Sequence, residues 1–406
     1  MKYRKMGSLG WDVSALGFGA MRLPINQETK EVNEKEVIEM IRYAIDNGVN
    51  YVDTAYSYHD GKSEVIVGKA LKEGYREKVT LTTKLPMWSV KETSDVDKFL
   101  SEQIERLQST PDIYLFHGLN KGRLEKIKEL GLIEKMEEAR ANGLFKYIGF
   151  SFHDSIDVFK EIIDFYEWDC CQIQLNYTDV NYQAGLEGLE YANKKGIAVI
   201  IMEPLRGGKL TIPEKKLIDV PEIKNVLDNA EIKRSMADWA LQYLWNMPEV
   251  SVVLSGMSNL QQVKENVQSA EKSGINSLTD SELKIIKNLQ QAFEKYHLIP
   301  CTSCGYCMPC PNGVSIKNVL YIMNEVGYWG EQGKPRVAYF YTGMAKTQED
   351  LERKISEGEE ANGSALLCIE CGECLDKCPQ QIDIPKYMKQ AVAIFEEDKK
   401  VSEVLG

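Results

Sequence analysis

The segment VSALGFGAMR, residues 13–22, decides between the two folds the rest of the chain permits. It reads as an apolar strand running into Gly17 and Gly19, the opening of the G-x-G-x-x-G fingerprint of an open, doubly wound sheet. The third glycine is missing, because Arg22 stands in its place. Seven further strand-like runs follow: NYVDTA (50–55), VTLTTKL (79–85), IYLFHG (113–118), YIGFS (147–151), CQIQLNY (171–177), AVIIMEPL (198–205) and VSVVLSGM (250–257). Between them lie amphipathic stretches such as EKEVIEMIRYAIDNG, with apolar residues at i, i+3, i+4 and i+7 and a closing glycine. Eight strands separated by helices, without the dinucleotide fingerprint, predict an α/β fold: a parallel sheet closed into a (β/α)8 TIM barrel. The GKS at 61–63 resembles the end of a P-loop, but Tyr56 stands where that motif requires glycine.

The chain has 406 residues, enough for such a barrel and a second unit. Its formal charge of −12 argues against nucleic acid and anionic membrane as partners. The start, MKYRKMGSLGWDVS, is basic but lacks an apolar signal region, and no run of 18 apolar residues occurs. A cytoplasmic protein is the expectation. Eight of the ten cysteines fall in two clusters, at 301, 304, 307, 310 and at 368, 371, 374, 378. In a long chain without a signal, such clustering points to metal binding rather than disulfides. Cys170 and Cys171, at the start of a predicted strand, read as buried core thiols.

Barrel chemistry sits at the C-terminal ends of the strands. Read in order, those ends carry Asp53 with Tyr58 in the following loop, Lys84, and His117. Each could be ordinary alone: a cap, a loop aromatic, a solvated amine, a core histidine. Together they suit carbonyl reduction. Hydride delivery leaves charge on the carbonyl oxygen, so a proton donor must stand beside it. A phenol near pKa 10 is a slow donor, and a neighbouring ammonium favours its phenolate. A buried lysine needs a carboxylate to stay charged, and an imidazole can orient the oxygen.

The segments FGAMRLP, YVDTAYSY, KSEVIVGKAL, TTKLP, YLFHG and YIGFSFHD resemble the aldo-keto reductase family over roughly residues 1–270. The resemblance implies an Asp53, Tyr58, Lys84, His117 tetrad and a nicotinamide cofactor lying across the barrel mouth. It implies that Ser151 and Gln174 hold the carboxamide and that Glu265 and Asn266 hold the adenine. Gly19 and Met21 in FGAMRLP fall in the same cofactor set. Three departures bear on it. Phe152 follows Ser151 where many members have Asn. Met202 stands where many stack a Tyr on the nicotinamide. Gly256, Met257 and Gln262 stand where members selective for NADP carry a Lys-Ser pair and an Arg. The cofactor is therefore NAD, or NADP gripped by basic residues elsewhere, or a weakly held nicotinamide.

After the last strand, SLTDSELKIIKNLQQAFEKYHLIP reads as a helix opened by a capping box, Thr279 with Glu282. CIECGECLDKCP, from Cys368, has the C-x2-C-x2-C-x3-C-P spacing of bacterial ferredoxins. CTSCGYCMPCP, from Cys301, shares its opening but has only two residues before the fourth cysteine. CPNGVSIKNVL and CPQQIDIPKYM then align, an internal duplication interrupted by about 57 residues that include YWGEQGKPRVAYFY. Three cysteines at two-residue gaps can wrap one cube, and the fourth crosses to the neighbour. Cys301, Cys304, Cys307 and Cys378 would hold one [4Fe–4S] cluster, and Cys368, Cys371, Cys374 and Cys310 the other. Two zinc sites are the competing account, although those normally use well-separated C-x2-C pairs. The shortened first set could alter the crossing or leave one site empty.

The expected organisation is a barrel over 1–275, a helical connector over 276–300 and a helical, ferredoxin-like iron-sulfur domain over 301–406. That arrangement resembles an aldo-keto reductase subgroup with a C-terminal two-cluster domain. Three functions compete: a nicotinamide-dependent carbonyl reductase acting on a small molecule; an electron-transfer protein serving a redox partner, whose barrel could hold FMN; and a barrel whose clusters only staple a pocket-closing extension. Trp88, Trp329 and nearby tyrosines are candidate pocket walls.

Overall fold

The computed structural model describes residues 1–26, 29, 31–296, 299–357 and 362–405. The chain divides into two units. The first holds residues 1–205 and 234–283, and the second holds 206–233 and the chain from 284 onward.

The first unit opens with a hairpin, β1 (Tyr3–Lys5) antiparallel to β2 (Asp12–Ser14). The barrel strands follow: β3 (Leu16–Gly19), β4 (Tyr51–Asp53), β5 (Thr80–Leu85), β6 (Ile113–Leu119), β7 (Tyr147–Phe152), β8 (Cys170–Gln174), β9 (Ala198–Met202) and β10 (Val250–Ser255). They are parallel and close in the order β10-β3-β4-β5-β6-β7-β8-β9. Every strand end falls at or near its expected place. The one split is VSALGFG, read as a single strand. It breaks at Ala15 because Val13 belongs to the hairpin, where it packs with Met6 against Tyr51, Ile113 and Cys170. The hairpin thus plugs one end of the barrel with apolar side chains. CQIQLNY stops at Gln174 because the Asn176 side-chain oxygen accepts from the backbone N–H groups of Thr178 and Asp179, each at 3.0 Å. That turn chemistry competes with the ladder.

The two-residue period sorts each strand. Val52, Leu81, Tyr114, Phe116, Cys171 and Ile173 point outward into the helix layer, a core rich in Leu, Ile, Val and Phe. Tyr51, Ile113, Leu115, Cys170, Ala198 and Ile200 share the interior. Continuing the same parity toward the strand ends leaves Asp53, Lys84, His117, Gln172 and Gln174 as the top of the interior, all buried. A polar layer above an apolar plug is therefore written into the alternation. Both Cys170 and Cys171 are core thiols.

The second unit is helical. Helices Ile316–Trp329 and Ile384–Phe395 begin at the equivalent isoleucines of the duplicated segments. The long insertion is not loop: it carries helices Gly333–Thr342 and Gln348–Ser356. The expected capping box forms, with Thr279 N–H donating to Glu282 at 2.9 Å and Glu282 N–H to Thr279 Oγ1 at 3.3 Å. Its helix runs from Asp280 to Phe293. His297 and Leu298, which the helical reading covered, lie outside the described residues. The linear partition at 275 and 300 misses one feature. The segment 206–233, after β9, belongs to the second unit. Gly207, at φ +66°, lies so close to the cysteine-bearing loop that a Cβ there would stand 2.7 Å from the Thr302 carbonyl oxygen. Lys209 Nζ donates to the Ile299 carbonyl at 3.2 Å, Tyr296 Oη to Glu222 at 2.7 Å, and Arg336 pairs with Asp219 at 3.2 Å. These contacts join residues more than seventy apart, which no local pattern announces.

Candidate functional site

The tetrad assembles at the C-terminal ends of the strands. β4 ends on Asp53, opposite Gly19 of β3 and Thr82 of β5. Lys84 Nζ lies 2.6 Å from Asp53 Oδ1, 2.8 Å from the Thr54 carbonyl oxygen and 3.4 Å from Tyr58 Oη. The second carboxylate oxygen accepts from Gln172 Nε2 at 3.2 Å. The lysine and aspartate side chains are 1% and 3% exposed, so the pair is dry. Burial pulls the Lys84 ammonium below its usual range, and Asp53 opposes that shift. His117 lies edge-on to Tyr58, with ring centroids 5.9 Å apart. Burial, then the charge of Lys84, holds its imidazole well below its ordinary pKa, so it is neutral at pH 7. Trp88, 42% exposed, stands 5.0 Å from the His117 ring.

The loop that delivers Tyr58 is unusual. His59, Asp60 and Gly61 take φ of 51°, 54° and 84° in succession, a left-handed run that two non-glycine residues pay for in strain. Side chains from elsewhere hold it. Leu23 N–H donates to His59 Nε2 at 3.2 Å. The Arg106 guanidinium covers the Tyr56 ring at 4.1 Å, donates to the Tyr56 carbonyl at 3.2 Å, and meets buried Glu64 at 3.2 Å. A Cβ on Gly61 would stand 2.9 Å from Arg106 Nη1. Glu64 in turn accepts from Thr83 and Gln103, each at 2.6 Å, and Gln103 also donates to the Lys84 carbonyl at 3.1 Å. A buried polar network therefore supports both the tyrosine loop and the lysine strand.

The expected cofactor residues fall into two groups. Gly19, Met21, Ser151, Gln174, Met202 and Gly256 lie at or just beyond the ends of β3, β7, β8, β9 and β10. Ser151 Oγ accepts from Gly118 N–H at 2.7 Å, and Gln174 Nε2 donates to Asp179 at 3.1 Å. Gln262, Glu265 and Asn266 sit on helix Leu260–Glu271. Asn266 is buried and donates to Ser255 Oγ at 2.9 Å, on the outward face of β10. Gln262 accepts from Ser258 N–H at 2.7 Å, and Glu265 is exposed beside Gln261 at 2.9 Å. Met257 is fully buried. Arg22 covers Gly256 and is paired with Glu203 at 2.9 Å. The Ser151 hydroxyl and the Gln174 amide, at adjacent strand ends, are groups able to donate to and accept from a carboxamide.

In the second unit the eight clustered cysteines line two cavities. One is bounded by Cys301, Cys304, Cys307, Cys378, Lys317 and Leu320. The other is bounded by Cys368, Cys371, Cys374 and Cys310, with Cys307 at its edge. The mutual influence of the thiols follows the same division: Cys307 responds to Cys304, Cys378 and Cys301, and Cys374 to Cys368, Cys310 and Cys371. Despite its shortened spacing, the first set sends Cys310 to the second cavity. Burial pushes the Cys307 thiol up to about 12 and Cys374 up to about 11. Such thiols keep their protons at pH 7 unless a metal displaces them. Among the described residues no three His, Cys, Asp or Glu side chains converge as a single metal ion would require. A zinc ion bonds each sulfur at about 2.3 Å and would draw all four together. Four cysteines around each cavity match in number and kind the four thiolates that hold a [4Fe–4S] cube.

The aldo/keto reductase family profile matches residues 15–291. The chain belongs to the aldo-keto reductase family. A 4Fe-4S dicluster domain profile matches residues 300–383, so this aldo-keto reductase-type oxidoreductase is fused to an iron-sulfur domain. It is 31% identical over 306 residues to L-galactose dehydrogenase of Arabidopsis thaliana, covering 70% of this chain and 94% of that one. It is 28% identical over 319 residues to the uncharacterised oxidoreductase YqkF of Bacillus subtilis, covering 71% and 96%. The holo form of aldo-keto reductase AKR11C1 from Bacillus halodurans superposes with a TM-score of 0.59 at 27% identity, covering 71% of this chain and 96% of that one. These relatives span the barrel.

Several residues that shape the site were not singled out from sequence: Gln172, Thr54, Glu64, Gln103 and Arg106. Gln172 had a signal, since it shares the inward parity of Gln174 in CQIQ. The Arg106 clamp had none, because its partners lie about forty to fifty positions away. Trp329 is occupied within the second unit, donating to Glu325 at 3.1 Å under the Arg336 guanidinium. No helix among the described residues is long and apolar enough to cross a membrane.

Proposed function

We propose that the barrel interconverts a small carbonyl compound and its alcohol with a nicotinamide cofactor, Tyr58 giving or taking the proton at oxygen. The observation that carries this is the approach of Lys84 Nζ to Tyr58 Oη, 3.4 Å, beside a dry carboxylate. A bound nicotinamide would supply or accept the hydride. Tyr58 protonates the developing alkoxide through its hydroxyl. Lys84 stabilises the phenolate left behind, and Asp53 keeps Lys84 charged in its dry position. Neutral His117 hydrogen-bonds the carbonyl oxygen and holds it toward Tyr58. Ser151 and Gln174 meet the carboxamide.

NAD is the favoured cofactor. Where a 2′-phosphate would need cations, Gly256, Met257 and Gln262 bring none, Arg22 is engaged by Glu203, and Glu265 adds a negative charge that suits ribose hydroxyls better than phosphate. Trp88 beside His117 offers a flat apolar wall of the kind that stacks on the C–H face of a sugar. With the relative named L-galactose dehydrogenase, this favours a polyhydroxylated aldehyde or alcohol. The two cavities are proposed to hold [4Fe–4S] clusters, one on Cys301, Cys304, Cys307 and Cys378, the other on Cys368, Cys371, Cys374 and Cys310.

The test is Tyr58→Phe in anaerobically purified protein assayed with NADH and aldoses. The expected result is a kcat lower by about a thousandfold, the scale of general acid catalysis, with NADH binding by fluorescence unchanged. Full activity in the variant would refute the assignment.

A further inference from the structure

The two cysteine cavities differ in how they meet solvent. Cys301 in the first is buried, and Gly207 of the 206–233 segment presses on Thr302 beside it. The second is open. Cys371 is the one exposed cysteine of the eight, and Ile369, which lines that cavity, is 66% exposed. Leu366 and Leu375 are exposed on the same short segment, at 43% and 40%. Apolar side chains standing in water around a ligand edge mark an interaction surface.

Acidic side chains outnumber basic ones around this surface. Among the described residues of 348–378, seven side chains are acidic and three are basic. Glu370, Glu373 and Asp376 are exposed between the cysteines. Helix Gln348–Ser356, with Glu349, Asp350 and Glu352, packs beside the cavity. Gln348 donates to the Asn312 carbonyl at 3.0 Å, and Leu351 crowds Gly313. Lys389 pairs with Glu370 at 2.6 Å and Lys377 reaches Glu373 at 3.5 Å, so these two carboxylates are partly offset.

We infer that the lip formed by Leu366, Ile369, Cys371 and Leu375 is the docking site of a basic one-electron carrier protein, exchanging electrons with the cluster of the second cavity. The inference rests on the proposed reading that this cavity holds a cluster. An apolar centre provides close approach, and an acidic rim steers a positively charged partner. One electron leaves the reduced cluster and one reduces the carrier's centre. No bond forms or breaks, and no proton moves.

The experiment uses full-length protein reduced with dithionite, which leaves the barrel chemistry out of play. Electron paramagnetic resonance first records the clusters. Stopped-flow mixing then follows oxidation by ferric cytochrome c as the basic probe, by an acidic ferredoxin, and by an uncharged quinone. The second-order rate with cytochrome c should exceed that with the ferredoxin. It should fall about tenfold or more between low and high salt. Glu370→Lys/Glu373→Lys/Asp376→Lys should lower it about tenfold while the quinone rate holds. Glu349→Lys/Glu352→Lys, on the helix beside the cavity, should act in the same direction. Unchanged cytochrome c rates in both variants, or a faster reaction with the acidic carrier, would overturn the docking site. Absence of cluster signals would overturn the cluster assignment itself.

Discussion

Burying Lys84 takes an ammonium out of water, and only its company makes that tolerable. Asp53, the Thr54 carbonyl and Tyr58 surround it at 2.6, 2.8 and 3.4 Å. Breaking a buried pair leaves one uncompensated charge, a loss of about 3–5 kcal/mol, whereas removing both members can be nearly neutral. Asp53→Ala should therefore destabilise by about that amount in urea unfolding. Adding Lys84→Met to it should restore much of the loss, a strong non-additivity. Neither variant should turn over substrate. Additive losses would mean that the pair is not electrostatically coupled. Asp53, Lys84 and His117 were legible in sequence because each stands at or near the end of a strand. The parity that makes Tyr51 and Ile113 face inward also makes Asp53 and His117 face inward.

At the scale of elements, the decisive piece is the loop 54–61. Its two strained residues, His59 and Asp60, do not hold their conformation by local preference. Arg106 does it from a neighbouring helix, tying the Tyr56 carbonyl and ring to buried Glu64. Arg106→Ala should cost about 2–3 kcal/mol, because Glu64 loses its cation and stays buried. The substrate KM should rise less than kcat falls, since Tyr58 is displaced while the cofactor residues stay put. An unchanged kcat in a folded variant would assign Arg106 a purely structural role. Strand and helix periods were readable because they depend on neighbours in sequence. The clamp, the Gln172 bond to Asp53, and the attachment of 206–233 to the second unit depend on residues far apart in the chain. Met202, Gly256 and Gln262 were readable as departures, but only their surroundings gave them meaning: Gln262 is spent on Ser258, and Arg22 over Gly256 is spent on Glu203. The missing residue before Cys310 was legible as an oddity. The ferredoxin-type spacing had still assigned Cys310 to the second site, and Cys310 lines that cavity.

Taken whole, the molecule joins a site built for a two-electron hydride step to cavities suited to one-electron centres. The two chemistries leave different marks on product. If the barrel transfers hydride directly, the hydrogen arriving at the carbonyl carbon comes from C4 of the nicotinamide. If electrons travel through clusters and a proton follows, that hydrogen comes from water. The decisive measurement is turnover of NADH deuterated at C4, in ordinary water, with mass spectrometry of the alcohol formed. One deuterium per product carbon is the predicted result. A product carrying no deuterium would contradict hydride transfer at the Tyr58 site and make the barrel an electron-transfer scaffold.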